Sequence, residues 1–212
     1  MRIDFISDIS CPWCAVGLAS LEKALLQLGD EIDYELHFQP FELNPDMPKA
    51  GKNLTEYLSE KYGMGVQQVK ASHESLRQRG LEVGFVFGER DHIWNTFDAH
   101  RLVYWAGISG IENNQRKLKL ALMRAYQTET KNPSDHQLLL QLVTEVGLDS
   151  VEAEAILQGD SFATEVRNLE REWYLSGITA VPSLVINQQH LLQGAQSVEL
   201  LVSTLRDLNS EV

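Results

Sequence analysis

Apolar positions near the N-terminus change period twice within forty residues. "RIDFI" at residues 2–6 reads as a short strand, and residues 12–28 read as a helix. In that helix Leu18, Leu21, Leu25 and Leu28 recur at helical spacing, opposite Glu22, Lys23 and Gln27, and Gly29 ends the run. From residue 32 to 38, "IDYELHF" alternates Ile32, Tyr34, Leu36 and Phe38 with Asp33, Glu35 and His37, the period of a strand with unlike faces. Two strands joined by a helical crossover are expected to run parallel, with a right-handed connection.

From about residue 53 to 176 the pattern is helical, with segments predicted at 54–62, 66–79, 96–107, 115–129, 135–146, 150–158 and 162–176. "YGMG", "KNPSD", "VGLDS" and "QGDS" separate them, each carrying the glycine, proline or capping residues that stop and restart helices. "LEVGFVFGERDHIW", residues 81–94, is too glycine-rich for a helix and is predicted as a loop. Strand character returns after Gly177: "SLVI" (183–186) and "HLLQ" (190–193) flank "NQQ" as a tight hairpin. Ser197 then caps a last helix lined by Val198, Leu201, Leu205 and Leu208. No repeat, low-complexity tract or flexible linker separates the helical block from its flanks, so it should pack on the sheet.

With 212 residues, 43% of them hydrophobic and 23% charged, the chain can bury a sizeable core without a disulfide staple. No apolar run approaches the roughly 18 residues of a membrane span, which excludes a transmembrane reading. A net charge of −12 would repel a phosphate backbone, so nucleic acid is not expected as a partner. "MRIDFISDIS" lacks the basic start and long apolar run of a secretory signal, and a cytoplasmic location is expected. In that reducing compartment a close cysteine pair is more often catalytic or metal-binding than structural.

The chain has two cysteines, Cys11 and Cys14 of "SCPWC". Cys11 falls just after a strand, at the first turn of a helix, where unpaired backbone N–H groups and the positive end of the dipole stabilise a thiolate. Pro12 suits the first helical position, where its missing N–H has no acceptor to lose. Cys14, a turn deeper, is within reach of the Cys11 sulfur, so the pair can switch between dithiol and disulfide. Attack by Cys11 on a substrate disulfide would give a mixed disulfide that Cys14 resolves. Two alternatives stand beside this one. A closed zinc site wants four ligands, and neither a second C-x-x-C nor an H-x₃₋₅-H pair supplies the rest, so no metal is expected. Free cysteines also pack as small hydrophobes.

"SCPWCAVG" together with "VPSLVI" and the following "GAQ" resembles the thioredoxin superfamily, specifically the DsbA family and its FrnE-like branch. "FELNP" at 41–45 and "NTFDAHRL" at 95–102 add to the likeness, which spans nearly the whole chain. The resemblance implies an α/β fold, a thioredoxin fold with a large all-helical insertion. Residues 1–43 and 177–212 would form the discontinuous thioredoxin-like domain and 44–176 the insertion. It also implies a thiol-disulfide oxidoreductase with Cys11 as exposed attacking thiol, Cys14 as resolving thiol and Pro182 as a cis-proline. Val181, preceding that proline, would face the cysteines and pair its backbone with bound peptide. Pro12 and Trp13 would belong to the substrate platform, Trp13 as an exposed aromatic beside a reactive group. His100, with Arg101, is a candidate proton shuttle over the site; the plainer reading is a helix-face pair contacting a carboxylate. Glu42 is a candidate proton acceptor for Cys14. No cofactor beyond the Cys11–Cys14 disulfide is expected, with glutathione or another thiol as possible co-substrate. Partners would be thiol- or disulfide-containing proteins or small molecules, and the chain a monomer or homodimer with no membrane association. The rival within the superfamily is a glutathione-dependent isomerase or transferase similar to 2-hydroxychromene-2-carboxylate isomerase and kappa-class glutathione transferase. That branch typically carries serine where this chain has Cys11.

Overall fold

The structure is a computed structural model, and it describes residues 1–110 and 113–210. Residues 111–112, within the expected insertion, and 211–212, at the end of the expected discontinuous domain, lie outside the described residues. Strand β1 (Arg2–Ser7) leads through a turn into helix α1 (Pro12–Leu28), a 3-10 turn (Gly29–Glu31) and strand β2 (Glu35–Pro40). Next come β3 (Lys52–Asn53), α2 (Leu54–Tyr62), α3 (Val66–Glu82), β4 (His92–Ile93), α4 (Phe97–Ile108) and α5 (Asn114–Met123). A π-helical turn (Arg124–Thr128) continues α5, followed by α6 (His136–Glu145), α7 (Ser150–Gln158) and α8 (Ala163–Leu175). The chain closes with β5 (Ser183–Ile186), β6 (His190–Gln193) and α9 (Val198–Ser210).

The main sheet has the order β2-β1-β5-β6. β1 pairs parallel with β2, from Arg2 opposite Glu35 to Ser7 opposite Pro40, and antiparallel with β5, from Ile3 opposite Ile186 to Ile6 opposite Ser183. β1 is therefore an inner strand, and every residue of it after Arg2 is buried. Alternation sends Ile3 and Phe5 into the main core with α1, α4, α5 and α9, while Ile6 on the opposite face packs with Ile178 and Val185. Asp4, on that second face, is satisfied by two 2.7 Å bonds from the Arg2 guanidinium and one of 2.6 Å from Gln39 Nε2.

The predicted helices match the observed ones closely, and the departures have local causes. β2 starts at Glu35 rather than Ile32, because its ladder partner β1 begins only at Arg2. It stops at Pro40, which has no N–H for the ladder. The helix predicted over 115–129 changes to π geometry at Arg124. The loop expected at 81–94 contains β4, which pairs with β3 as a two-residue ribbon too short to show a period. Gly88 in that loop lies flat on the π turn: its N–H bonds Gln127 O at 2.9 Å, and a Cβ there would sit 2.2 Å from Thr128 O.

Candidate redox site

The turn between β1 and α1 brings the two sulfurs to the C-terminal end of the sheet's inner strand. Cys11 N–H donates to Asp8 O at 3.2 Å and Cys14 N–H to Cys11 O at 3.1 Å, closing the first helical turn around Pro12. Cys11 is the N-cap of α1, with extended backbone (φ −81°, ψ 114°), and Pro12 occupies the first turn as expected. Both cysteines are free thiols. Cys11 is 4% exposed and Cys14 fully buried, so the expected exposed thiol is only narrowly open to solvent while the order of accessibility is as expected. Burial pushes the Cys14 thiol well above its ordinary range, and the adjacent Cys11 sulfur adds to the rise.

A segment 170 residues later completes the site: the Cys11 thiol donates to Val181 O at 3.6 Å, and the Val181–Pro182 peptide is cis. Helix α1 lies against this loop at Gly17, where a Cβ would come within 2.8 Å of Pro182 Cγ, so only glycine lets the two elements approach this closely. Trp13 is 41% exposed beside the cysteines. Pro12 lines a cavity of about 530 Å³ between α3 and the 87–91 segment, whose walls also carry Lys70, His73, Arg77, Phe87 and Arg90. That volume falls in the range of small-molecule sites.

Beneath the dithiol lies a buried polar group that sequence reasoning missed. Asp8 accepts from Ser10 N (2.9 Å), Ser10 Oγ (2.7 Å), Leu43 N (2.7 Å) and Thr96 Oγ1 (2.9 Å). Burial alone would raise its carboxyl, but His100 and the Ser10 and Leu43 amides outweigh that and hold it down at about 2. Lys119 of α5 is also fully buried; burial pulls its ammonium down to about 8 against the opposing attraction of Cys14, Asp8 and Cys11. The available signal was an acid immediately after a buried strand and a lysine interrupting the apolar face of "KLKLALM".

His100 and Arg101 follow the plainer of their two readings, each contacting a carboxylate, and Glu42 departs from its predicted role. His100, expected over the site as a proton shuttle and substrate-binding residue, is 1% exposed with Nε2 at 3.6 Å from Asp8 Oδ1, so it lies under the site and out of reach of bound substrate. Arg101 is structural: it donates to Asp98 Oδ1 and to the carbonyls of Ser161, Ile156 and Gly159, tying α4 to the C-terminal end of α7. Glu42 is paired with Arg167 rather than with Cys14, and Arg167 also reaches Glu170 at 2.9 Å. Burial, then the neighbouring Glu170 carboxylate, push Glu42 up to about 8, with Arg167 opposing. A carboxyl raised on folding contributes stability that is complete below its unfolded value near 4.5 and is lost as pH rises toward 8. Denaturant titrations at pH 5 and pH 8 are expected to differ less in Glu42→Gln than in the parent, by roughly 2–4 kcal/mol.

No group of three or more His, Cys, Asp or Glu side chains among the described residues is placed to hold a metal ion, and no described helix is long and apolar enough to cross a membrane. A parallel pair of an inner and an edge strand, an antiparallel hairpin and a helix-start dithiol facing a cis-proline loop define a thioredoxin-fold protein, here with helices α2–α8 inserted between β2 and β5. The chain belongs to the DSBA-like thioredoxin domain family, whose model matches residues 2–206. Among solved structures, the "probable DsbA oxidoreductase SCO1869 from Streptomyces coelicolor" superposes with a TM-score of 0.90 at 33% identity, covering 100% of this chain and 91% of that one. A 2-hydroxychromene-2-carboxylate isomerase shares the fold at 14% identity and TM-score 0.74, covering 100% and 97% of the two chains. So does the cytosolic disulfide reductase DsbM from Pseudomonas aeruginosa, solved with GSH, at 16% identity and TM-score 0.63, covering 100% and 98%. At these identities the last two show the fold alone.

Proposed function

We propose that this protein is a thiol-disulfide oxidoreductase acting through Cys11 and Cys14. The observation that carries the reading is the pairing of a helix-start thiol, Cys11, bonded to the Val181 carbonyl, with a second, fully buried thiol one turn on. Cys11 attacks a substrate disulfide; one substrate sulfur leaves as thiolate and the other stays bound to Cys11. Cys14 then displaces it, giving the Cys11–Cys14 disulfide and a fully reduced substrate. The reverse sequence oxidises a dithiol, and the potential of the couple against its partner sets the direction.

The domain holding the dithiol is read as residues 1–43 with 177–212, and the insertion 44–176 as the wall of the substrate cleft. Pro12, Trp13 and the Val181 backbone form the substrate platform. The cavity beside Pro12, lined by Lys70, Arg77 and Arg90, by Glu74, Glu89 and Asp91, and by apolar Phe87, suits a small disulfide that carries charges of both signs, such as that of glutathione. A cytoplasmic location fits this reading, as for the cytosolic reductase of the same fold. The isomerase or transferase alternative is disfavoured by Cys11 and by the buried Cys14, which that chemistry leaves without a role.

Insulin reduction with glutathione as electron source, run beside isomerisation of 2-hydroxychromene-2-carboxylate and conjugation of glutathione to an electrophile, separates these readings. Disulfide reduction or glutathione–disulfide exchange without isomerisation or conjugation is expected. Conjugation or isomerisation that survives Cys14→Ser, with no disulfide exchange, would overturn the assignment.

A further inference from the structure

The wall of the cavity beside Pro12 carries the cations Lys70, Arg77 and Arg90 and the carboxylates Glu74, Glu89 and Asp91, but their pairing is unequal. Arg77 serves both Glu74, at 3.4 Å, and Glu89, at 3.5 Å, while Asp91 lies 2.9 Å from His92 Nδ1. Lys70 and Arg90 are left without a carboxylate partner among the described residues. His73 in the same wall senses the surplus: burial, then Arg90 and Arg77, hold its imidazole below its ordinary 6.5.

Of the two unpaired cations Arg90 is the better placed. Lys70 is exposed on α3, whereas Arg90 is half-buried and its backbone is held on both sides. Two residues before it Gly88 N–H bonds Gln127 O at 2.9 Å, and one residue after it Asp91 O accepts from Leu54 N–H at 2.8 Å. The Arg90 guanidinium lies over the Tyr126 ring, Cζ 4.9 Å from the centroid, and that ring is fixed in turn by its hydroxyl on His92 O at 3.0 Å. A planar cation stacked by its face keeps its N–H edge for an incoming acceptor, the geometry that grips a carboxylate through two parallel bonds. Loop and side chain are ordered beforehand, so little conformational entropy is left to lose on binding. Pro12, in the same wall, is the neighbour of Cys11, which puts a molecule held in this cavity beside the dithiol turn.

We propose that Arg90 is a specificity-determining residue of this site, gripping a carboxylate of a small disulfide while Cys11 attacks its sulfur, so that the favoured substrates are carboxylate-bearing disulfides. The inference rests on the oxidoreductase reading above and narrows it: of the charges a substrate carries, the negative ones are selected. In the step, Cys11 Sγ, its proton lost to solvent, bonds one sulfur of the disulfide as the S–S bond breaks. The other sulfur leaves as a thiolate with the electron pair. Arg90 takes no part in that exchange of bonds; it fixes where the disulfide lies.

The test uses the full chain carrying Cys14→Ser, in which the Cys11 adduct persists, and follows adduct formation by mass with disulfides of similar size and different charge. These are 3,3′-dithiodipropionate, a dicarboxylate, the neutral 2-hydroxyethyl disulfide, and the diammonium cystamine. Dividing each variant's rate by that of the chain with Arg90 intact, for the same disulfide, cancels the intrinsic reactivities of the reagents. Arg90→Gln is expected to slow the dicarboxylate about tenfold, to change the neutral disulfide less than about twofold and to speed cystamine. Arg90→Lys, which keeps the charge and loses the fork, should retain part of the preference. Arg79→Gln removes the same charge from α3 outside the cavity wall and should leave every rate within about twofold. With Arg90 intact, adipate, a dicarboxylate without a disulfide, should slow adduct formation from 2-hydroxyethyl disulfide and the uncharged adipamide should not, an arm that stands even if Arg90→Gln fails to fold. Equal scaling of all the rates in Arg90→Gln, or equal effects of adipate and adipamide, would overturn the proposal and leave the oxidoreductase reading standing. Absence of an adduct with any of these disulfides would remove both.

Discussion

Cells expressing Cys14→Ser are expected to accumulate covalent complexes between this protein and its substrates, joined through Cys11 and released by reductant, whereas Cys11→Ser accumulates none. In the parent protein a mixed disulfide is short-lived because the resolving thiol sits one helical turn away, and well-oriented intramolecular groups reach effective molarities of ~10⁵ M and above. An external thiol at about 1 mM cannot match that, so removal of Cys14 should lengthen the life of the complex by at least ~10²-fold. The asymmetry arises from position. Cys11 lies at the N-cap with its sulfur at the Val181 carbonyl, while Cys14 is sealed behind it and is held protonated by burial. Acid quenching, alkylation of free thiols and non-reducing gels read the result directly. Equal band patterns from the two variants would refute the assigned roles, and bands from Cys11→Ser alone would reverse them.

Replacing Asp8 with alanine is expected to destabilise the fold by about 3 kcal/mol or more. The substitution leaves the Ser10 and Leu43 amides and the Thr96 hydroxyl, all bonded to Asp8 in the native chain, facing a void. Each of these belongs to a different part of the chain, so the loss loosens the dithiol turn, the segment after β2 and the start of α4 together. The pH dependence supplies a second readout. Asp8 is held at about 2, below its ordinary 3.8, so it contributes stability that is present above 3.8 and lost as pH falls through about 2. The shift corresponds to about 2 kcal/mol. Urea titrations between pH 6 and pH 2 should therefore show a steeper acid loss in the parent than in Asp8→Ala. Parallel curves would mean that Asp8 is not held as a carboxylate by this network.

The parts of the fold that were legible in advance are those governed by repetition. The leucine spacing of residues 18–28 and the capping residues before 150 and 198 mark helices because each turn repeats the same demand for burial, and α1, α2 and α7 begin and end where the apolar periodicity and the breaks between segments say. The β5–β6 hairpin was readable from two short apolar runs flanking "NQQ", although its turn places both Asn187 and Gln188 at positive φ, which Gln188 does not announce. The β3–β4 ribbon was not legible, since two residues per strand carry no period. At the site, Cys11 and Cys14 declare themselves by chemistry and spacing, and Pro182 by its resemblance to a known pattern. Asp8, Lys119 and the true surroundings of His100 and Glu42 are relations between segments from 35 to more than 100 residues apart. Charge type and sequence neighbourhood cannot say whether a carboxylate meets water, an arginine or a thiol.

The strand order also dictates when the site comes into existence during synthesis. β1 leaves the ribosome with the cysteines close behind it, but its antiparallel neighbour β5 begins at Ser183, after the whole helical insertion has been made. At about 5–20 residues per second, the interval is roughly 10–35 s. Throughout it the nascent chain carries two thiols with no Val181 carbonyl opposite them and no Pro182 against Gly17. Reactivity that depends on the assembled cleft is thus withheld until the last strands arrive, and the unfinished polypeptide presents its cysteines to the cell as ordinary ones.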